Sequence, residues 1–461
     1  MIRNLTDGDH RQLARASKKL HFFTETIEIR GITPLTFFES GSADYKNERF
    51  YWQNAEASKT LVGLGHAYVI SSESSTDRYR DVSNEWKRLC SVLVKEEKDR
   101  DPVLFGGFSY DPLHRKESEW SSYPSAFFVV PTFQLVIEEG VTSISINMIT
   151  EEEHAVSEFD TLREERDRLI HISQVHDFRF GAKPQIMSTV EREKERYLQA
   201  VAQVTKHIRE GKAEKVVIAR MLELVLQEEV PSTAVLHSIT NEQQQSYHFG
   251  LENRDTLFFG ATPERLIEIK NGQAYSACVA GSIRRGDTAV EDRLLGEELM
   301  RDRKNREEHQ YVVDMISAIF NRLSEDVSIP KTPRLMKVRD IQHLFTPVQG
   351  SVGKDTDIFS FIKSLHPTPA LGGVPTNIAL DMIREEEGID RGYYAAPIGW
   401  TDAAGNGEFA VAIRSALLAG NRAYLYAGGG IVADSDPNSE YAETWVKFRP
   451  VLRALGGNLN G

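Results

Sequence analysis

Hydrophobic residues recur at helical spacing in the middle of the chain. Between Ser188 and Gly211 they fall three or four positions apart, at Tyr197, Val201, Val204 and Ile208, as on one face of a helix. Ser188 and Glu191 form a capping-box pattern at the start of this segment, and Gly211 is a typical terminator. The longest helical pattern is EDRLLGEELMRDRKNREEHQYVVDMISAIFNRL, whose predicted buried stripe comprises Val312, Met315, Ile316, Ile319 and Phe320.

Alternating and continuous apolar runs predict strands on either side of these helices. The first 150 residues alternate β-rich runs such as AYVI, PVLFGGFSY and SAFFVVPTFQLVIEEG with polar connections. The run EKVVIARMLEL is apolar on both faces, so it predicts a strand buried on both sides that carries Lys215 and Arg220 inward. Hairpin turns are predicted at Asn271-Gly272 and about Gly420-Asn421.

A change of pattern predicts two parts of the chain. A highly charged helix is predicted over residues 151–173, and HDFRFGAKPQIM after it has no periodicity and contains Gly181 and Pro184. We therefore expect an N-terminal β-rich scaffold with a charged helix over residues 1–180. The catalytic part is expected over residues 188–456.

Composition and charge exclude several classes of protein. The 461 residues are 40% hydrophobic and 27% charged, which is typical of a globular protein. A formal net charge of -13 argues against a nucleic-acid or anionic-membrane partner. Two cysteines, Cys90 and Cys278, are too few for a disulfide framework or a four-thiolate zinc site. The N-terminus MIRNLTDGDHRQLARASKKL lacks the apolar stretch of a signal peptide. We expect a cytoplasmic protein that does not span a membrane.

Several carboxylates occupy positions that suit a metal ion. Projecting the stripe of the longest helix back by four residues reaches Glu308, which is therefore predicted to point inward. A last helix, opening at DSDP, places Glu440, Glu443 and Lys447 on one face. Two carboxylates with open positions suit Mg²⁺. The alternative is that these glutamates are solvated, or paired with Lys304 and Lys447 at helical spacing.

Cations in apolar or glycine-rich surroundings suggest an anionic ligand. They are Lys215, Arg220, Arg414 and Lys447, and a doubly anionic ligand would explain their positions. A buried lysine can also act as a base, although Lys215 at a strand end could equally extend to solvent. Glu264 follows a proline at a strand edge, where a carboxylate is most often part of a turn. Exposed backbone N–H groups are predicted at three consecutive glycines, Gly428, Gly429 and Gly430.

Nine motifs occur in the order known from one enzyme family. They are EKVVIAR, FFGATPERL, VAGSIRRG, KNREEH, LHPTPALGG, YYAAPIGW, GNGEFAVAIR, AGGGIV and SEYAETWVK. Through them the C-terminal 270 residues resemble the chorismate-binding domain of isochorismate, salicylate, anthranilate and aminodeoxychorismate synthases. The resemblance implies an α+β fold, an α/β sandwich with two large, mainly antiparallel sheets and outer helices.

The resemblance also implies roles for single residues. Lys215 would be the general base that activates water for attack at C2 of chorismate, and Glu264 the general acid that protonates the departing C4 hydroxyl. Glu308 and Glu443 would be magnesium ligands, with Glu440 as a water-mediated partner. Mg²⁺ would be the only required ion, and no redox cofactor is implied.

The substrate contacts follow from the same motifs. Arg414 and Tyr394 resemble the residues that face the pyruvyl carboxylate. The resemblance assigns the remaining substrate contacts to Ser282, His366, Lys447 and the N–H groups of Gly428, Gly429 and Gly430. Asn305 stands where some relatives have an acidic residue, which weakens any outer metal contact from that helix.

Two features favour water over ammonia as the nucleophile. Aminodeoxychorismate synthases carry a lysine at the position of Ala280, and LHPTPALGG around His366 is the isochorismate-synthase form. The resemblance therefore implies conversion of chorismate to isochorismate, without an obligatory amidotransferase subunit, for menaquinone or siderophore biosynthesis. The alternatives are a salicylate synthase, an ammonia-using subunit, and a non-catalytic chorismate-binding protein. The segment FFES resembles the tryptophan-binding segment of anthranilate synthase and is interpreted as a strand fragment.

Overall fold

The computed structural model describes residues 20–114, 118–151, 156–178, 180–181, 183–337 and 341–457. Residues 1–19 lie outside this described part. They belong to the N-terminal segment on which the signal-peptide prediction rests.

Strands are the most frequent regular structure in the described chain. They are β1 (His21–Ile29), β2 (Arg49–Gln53), β3 (Lys59–Ser72), β4 (Leu93–Val94), β5 (Val103–Phe108), β6 (Ala126–Glu138), β7 (Val141–Thr150), β8 (Ile186–Val190), β9 (Lys215–Leu226), β10 (Tyr247–Asn253), β11 (Thr256–Thr262), β12 (Arg265–Lys270), β13 (Gln273–Arg284), β14 (Ser324–Ser328), β15 (Arg334–Lys337), β16 (Ile341–Val352), β17 (Gly373–Val374), β18 (Pro397–Asp402), β19 (Gly407–Val411), β20 (Ser415–Ala419) and β21 (Arg422–Ile431).

Helices cover the strands and connect them. They are α1 (Pro34–Ser40), α2 (Arg78–Cys90), α3 (Val156–Val175), α4 (Lys194–Arg209), α5 (Ser232–Glu242), α6 (Ala289–Arg301), α7 (Arg303–Leu323), α8 (Ile358–Leu365), α9 (Thr376–Glu386) and α10 (Pro437–Ala454).

The strands form two large sheets that share β6. One sheet runs in the order β4-β1-β7-β6-β3-β2-β10-β11-β20-β21-β9-β8. The other continues from β6 through β5-β18-β19-β12-β13-β16. One end of β6 pairs with β5 and the other end with β7, so the two sheets are continuous. Among the described strands, only β1 and β4 pair in parallel. The predicted pair of mainly antiparallel sheets with outer helices is confirmed.

The predicted hairpins and the buried strand are present. Asn271 and Gly272 both have positive φ, 51° and 73°, between β12 and β13. Gly420, with φ 56°, lies in the turn between β20 and β21. Strand β9 is buried along most of its length, and Lys215 is its half-buried first residue.

Three local predictions are wrong. The stretch after Ser188 is not a helix start, because Ile186–Val190 pairs with β9 as a strand, and α4 begins at Lys194. The longest helical pattern is divided at Asp302, whose side chain caps α7 by accepting the N–H of Asn305. FFES belongs to α1 rather than to a strand, because Thr33 caps a helix there.

The predicted charged helix is present as α3, and the two predicted parts of the chain pair with each other. Helix α3 covers Val156–Val175, and residues 152–155 of the predicted helix lie outside the described part. Strands from the two predicted parts pair directly, β2 with β10 and β5 with β18. A division at residues 180–188 stays a prediction.

A buried ion pair joins the first part of the chain to the second. Arg49 on β2 donates to both carboxylate oxygens of Glu252 on β10, at 2.8 and 2.9 Å. Their side chains are 4% and 2% exposed. Glu252 also accepts the N–H of Asn47 and the hydroxyl of Ser232. Because every one of these donors is buried or half-buried, the carboxylate holds several chain segments in place.

We expect Glu252→Ala to lower the free energy of unfolding by about 3–5 kcal/mol, because it leaves the Arg49 charge buried without a partner. Denaturant titration followed by circular dichroism measures the effect. Lys46→Ala is the control, since the Lys46–Glu229 pair is exposed, and it should cost less than about 1 kcal/mol. Equal midpoints for the two variants would contradict this role of the buried pair.

Candidate active site

Lys215 enters the site from the first position of β9. It pairs across the strand with Val374 of β17, and its Nζ lies 3.4 Å from Oε1 of Glu308. Gly430 stands beside it on β21, where an added Cβ would lie 2.6 Å from Cε of Lys215. Glycine at this position therefore leaves the space that the lysine side chain occupies.

Arg220, on the same strand, serves a different purpose. Its guanidinium donates to Oγ1 of Thr444 at 2.7 Å and lies 3.2 Å from the carboxylate of Glu191. It is also stacked against three aromatic rings, those of Tyr441, Trp445 and Phe448. The expectation that Arg220 shares the anionic ligand is wrong, because the carboxylate of Glu191 and the aromatic rings of α10 already engage its charge.

Glu264 lies between β11 and β12, next to two cations. Burial raises the pKa of its carboxyl to about 7, although the charges of Lys215 and Arg414 oppose this shift. Its carbonyl accepts the N–H of Val411 at 3.0 Å, which holds the backbone in place. The carboxyl thus keeps a proton near neutral pH and can act as an acid.

Arg414 and Tyr394 lie near each other at the site. Arg414 has φ 52°, an uncommon conformation for a residue with a Cβ, and its carbonyl accepts the N–H of Ala261. Burial lowers the pKa of Arg414, and Tyr394, Glu443 and Glu264 favour its charged form. Within the described chain, no hydrogen bond from its guanidinium is recorded, so its donors remain available for a ligand.

Tyr394 is buried beside two arginines. Burial raises the pKa of its hydroxyl to about 12, although the charges of Arg391 and Arg414 oppose this shift. Its ring stacks on Tyr426 with the centroids 5.4 Å apart. The hydroxyl therefore stays protonated and can donate its hydrogen to an anion.

Helix α10 lies over the three glycines of β21. Lys447 donates to the carbonyl of Gly428 at 2.7 Å and pairs with Glu443 at 2.8 Å. An added Cβ at Gly429 would lie 2.9 Å from Oε2 of Glu440. Burial raises the pKa of Glu440, and the charge of Glu443 adds to the effect. The Glu443–Lys447 pairing that the helical spacing predicted is present.

The predicted inward orientation of Glu308 is wrong. Its side chain is 46% exposed, whereas the neighbouring His309 is buried and bonded to the carbonyl of Ala280 and to Thr346. The buried face of α7 passes through His309, Val312, Val313 and Ile316. Glu308 is one residue out of phase with that face, so it lies at the rim and points toward Lys215.

The candidate metal ligands at this site are carboxylates. Across the residues that the structure describes, no group of three or more His, Cys, Asp or Glu side chains is arranged to hold a metal ion. The carboxylates of Glu308 and Glu443 instead contact the two lysines of the site.

Ser282 and His366 contact other parts of the molecule. Ser282 is exposed, and its hydroxyl lies 2.8 Å from Nδ1 of His343. Burial lowers the pKa of His366 to about 3, and its Nε2–H donates to the carbonyl of Tyr110. No recorded contact within the described residues joins either one to Lys215, Arg414 or Lys447, so their substrate contacts stay predictions.

One pair of residues beside the site was not predicted. Glu387 and Arg391 form a buried ion pair against β9. The only signal in the sequence is opposite charges four residues apart, which is too common a pattern to select them.

In this part of the fold a lysine and a buried arginine lie near a carboxyl whose pKa is raised to about 7. A family model described as "Chorismate binding enzyme" matches residues 9–456. The chain belongs to this family, and the resemblance inferred from the nine motifs is confirmed.

Two relatives cover nearly the whole chain. "Isochorismate synthase MenF" of Bacillus subtilis is 40% identical over 93% of this chain and 92% of its own length. "Salicylate biosynthesis isochorismate synthase" of Pseudomonas aeruginosa is 34% identical over 94% and 90%.

Solved structures share the fold. The menaquinone-specific isochorismate synthase MenF of Escherichia coli aligns with a TM-score of 0.77 over 94% of both chains, at 23% identity. Anthranilate synthase component I of Streptococcus pneumoniae aligns with a TM-score of 0.69 over 97% of this chain and 95% of its own, at 20% identity. Among the described helices, none has the length and apolar character needed to cross a membrane.

We expect Gly430→Ala to reduce kcat about 100-fold, because the new methyl group would displace Lys215 from its position beside β21. Steady-state kinetics with chorismate measure the loss, and circular dichroism checks that the variant is folded. A folded variant with the kcat of the wild type would show that the lysine does not depend on this glycine.

Proposed function

We propose that the chain converts chorismate to isochorismate. The observation that carries the proposal is that a lysine, Lys215, lies near a carboxyl, Glu264, whose pKa burial raises to about 7. A reaction that adds water at one ring carbon and removes hydroxide at another needs one base and one acid. The relatives named as isochorismate synthases support the same activity.

In the proposed mechanism Lys215 removes a proton from water, and the water oxygen bonds to C2 of chorismate. Both ring double bonds shift by one position as the C4–O bond breaks, and Glu264 gives its proton to the departing hydroxyl. One water is consumed and one is released, so the atoms balance and no oxidation occurs. Glu264 then regains a proton from the lysine or from solvent before the next turnover.

The cations of the site would hold the substrate during this exchange. Arg414, with its unused donors, and the Tyr394 hydroxyl would bind the pyruvyl carboxylate. Lys447 would bind the ring carboxylate, together with those N–H groups of Gly428, Gly429 and Gly430 that the pairing of β21 with β9 leaves free. Ser282 and His366 would be further contacts that the resemblance implies. Fixed donors of this kind bind a dianion without reorganising when it arrives.

Glu308 and Glu443 would hold Mg²⁺, with Glu440 contributing through water. Carboxylate oxygens are the donors that Mg²⁺ prefers. The raised pKa of Glu440 reflects a buried carboxyl beside Glu443, and a cation would relieve this repulsion. When bound, the ion would supply positive charge that neutralises the ring carboxylate.

Other members of the family define the competing activities. An aminating subunit would need a nucleophile or an ammonia supply, whereas this chain has Ala280 at the relevant position on β13. A salicylate synthase would go on to eliminate pyruvate. We infer a cytoplasmic enzyme, which agrees with the two unpaired cysteines among the described residues. We also infer that the enzyme has no obligatory amidotransferase subunit. Menaquinone and siderophore biosynthesis both use the proposed product.

Chromatographic identification of the product tests the proposal. The enzyme is incubated with chorismate and Mg²⁺, with and without ammonium ions, and isochorismate is expected in both cases. Salicylate as the main product would support a salicylate synthase instead. An aminated product that requires ammonium would support an aminating subunit, and no product with intact binding would support a non-catalytic protein.

The pH dependence of kcat/KM should report the Glu264 proton. Since the pKa of Glu264 is raised to about 7, the acid is protonated below that pH and lost above it, so kcat/KM should fall as the pH rises through about 7. Glu264→Gln should reduce kcat at least about 100-fold.

Glu408→Gln is the matched control for this experiment. Burial also raises the pKa of Glu408 to about 7, but this carboxyl lies by Tyr247, away from Lys215. The variant should keep the descending limb. If the descending limb is absent in Glu408→Gln, it reports the proton of Glu408, and its assignment to Glu264 is wrong.

The magnesium requirement should depend on two of the rim carboxylates. We expect Glu443→Gln and Glu308→Gln each to raise the half-saturating Mg²⁺ concentration at least about tenfold, because each removes a charged ligand. Glu307→Gln is the control, since that neighbour pairs with Arg303 on the exposed face of α7. Identical magnesium titrations for all three variants would refute the assignment of the ligands.

A further inference from the structure

Strand β9, which carries Lys215, lacks a strand partner along part of one edge. On one side β21 pairs with it over ten consecutive residues, from Val216 to Val225. On the other side β17 pairs only with Lys215 and Val216, and β8 begins to pair at Glu223. Between the positions that pair with β17 and with β8, the residues of β9 are buried. Their backbone groups on this edge therefore need other hydrogen-bond partners.

The ion pair of Glu387 and Arg391 takes the place of the missing strand. Glu387 accepts the N–H of Ala219 at 2.7 Å, and Arg391 donates to the carbonyl of Val217 at 2.8 Å. The two side chains are bonded to each other through two N–H···O contacts, the one from Nε at 2.6 Å. Both are nearly inaccessible, at 1% and 3% exposure. Together they offer β9 one donor and one acceptor, as a neighbouring strand would.

The same pair holds the LHPTPALGG loop. Arg391 donates to the carbonyl of Leu371 at 3.1 Å, and the hydroxyl of Tyr110 donates to the same carbonyl at 3.0 Å. The guanidinium lies 4.2 Å from the centre of the Tyr110 ring. Tyr110 in turn accepts the hydrogen bond of His366. A continuous set of contacts therefore runs from β9 through the ion pair to the loop.

We propose that Glu387 and Arg391 are positioning residues that set the place of Lys215 by clamping β9 to the LHPTPALGG loop. Lys215 lies two residues before Val217, and its own backbone pairs with Val374 at the end of that loop. If the clamp loosens, the strand and the loop can shift together, and the lysine moves relative to the substrate. A misplacement of about 1 Å can cost about 100-fold in rate.

The proposal rests on the proposed function, and three variants test it. Glu387→Gln keeps the shape of the side chain but removes its charge. Arg391→Lys keeps a charge but lacks the planar fork that reaches Val217, Leu371 and Glu387 at once. Arg384→Gln is the matched control, because it breaks an ion pair from α9 to Asp111, next to Tyr110, that does not touch β9.

We expect Glu387→Gln and Arg391→Lys each to lower kcat about 10- to 100-fold per mole of folded enzyme. The KM for chorismate should change less than about threefold, because Arg414 and Lys447, the cations that would bind the carboxylates, lie on other elements. The double variant should lose no more than the worse single one, since the pair acts as a unit. Arg384→Gln should keep kcat within about twofold. The folded fraction is measured by near-ultraviolet circular dichroism at the assay temperature.

Several results would overturn the clamp. They are a kcat per folded molecule equal to the wild type in either variant, additive losses in the double variant, and an equal loss in Arg384→Gln. The wild type separates this test from that of the function. A wild type that makes no isochorismate refutes the proposed activity, whereas an active wild type with an equally active Glu387→Gln refutes the clamp alone.

Discussion

The site depends on the close approach of charged side chains to β21, which three glycines allow. Lys215 reaches past Gly430 from the neighbouring strand, and Glu440 lies against Gly429 from α10 above it. Lys447 bonds to the carbonyl of Gly428. A Cβ at Gly429 or Gly430 would occupy the space of one of these groups. The glycines thus bring a strand and a helix, more than two hundred residues apart in the chain, to one small surface.

The electrostatics of this surface follow from that packing. Three cations, Lys215, Arg414 and Lys447, are brought close to the carboxyl of Glu264 or to rim glutamates, yet burial still keeps the proton on Glu264 near neutral pH. A dianionic substrate would replace Glu443 as the partner of Lys447. The same arrangement that binds the anion would therefore present it with a base and an acid, and the Glu387–Arg391 pair would keep the base in register.

Much of this could be predicted from the sequence, because strands, hairpins and motif order are local properties. The Asn271-Gly272 turn and the buried β9 are examples. The sequence-based predictions are wrong where tertiary contacts determine the local structure. Residues 186–190 include β-branched residues and become a strand only because β9 offers an edge. Periodicity fixed the buried face of α7 only to within one residue, so His309 is inside and Glu308 is not.

The composition of the site could not be read from spacing alone. The sequence shows carboxylates and cations, but it does not distinguish Arg220 from Arg414, because the aromatic rings of α10 surround Arg220 only in the folded chain. The ordered motifs, and not periodicity, named chorismate. The Glu387–Arg391 pair could not be predicted from the sequence, because its role comes from the gap in the edge of β9, which no local pattern reveals.

The central claim is that water activated by Lys215 supplies the new hydroxyl. Its most direct test is a reaction in ¹⁸O-labelled water, stopped early and analysed by mass spectrometry of the isochorismate formed. We predict one labelled oxygen, located at the C2 hydroxyl, and no detectable formation of labelled product by a folded Lys215→Ala variant. Unlabelled isochorismate would mean that the original hydroxyl migrates within the substrate, and it would refute the activation of water by Lys215.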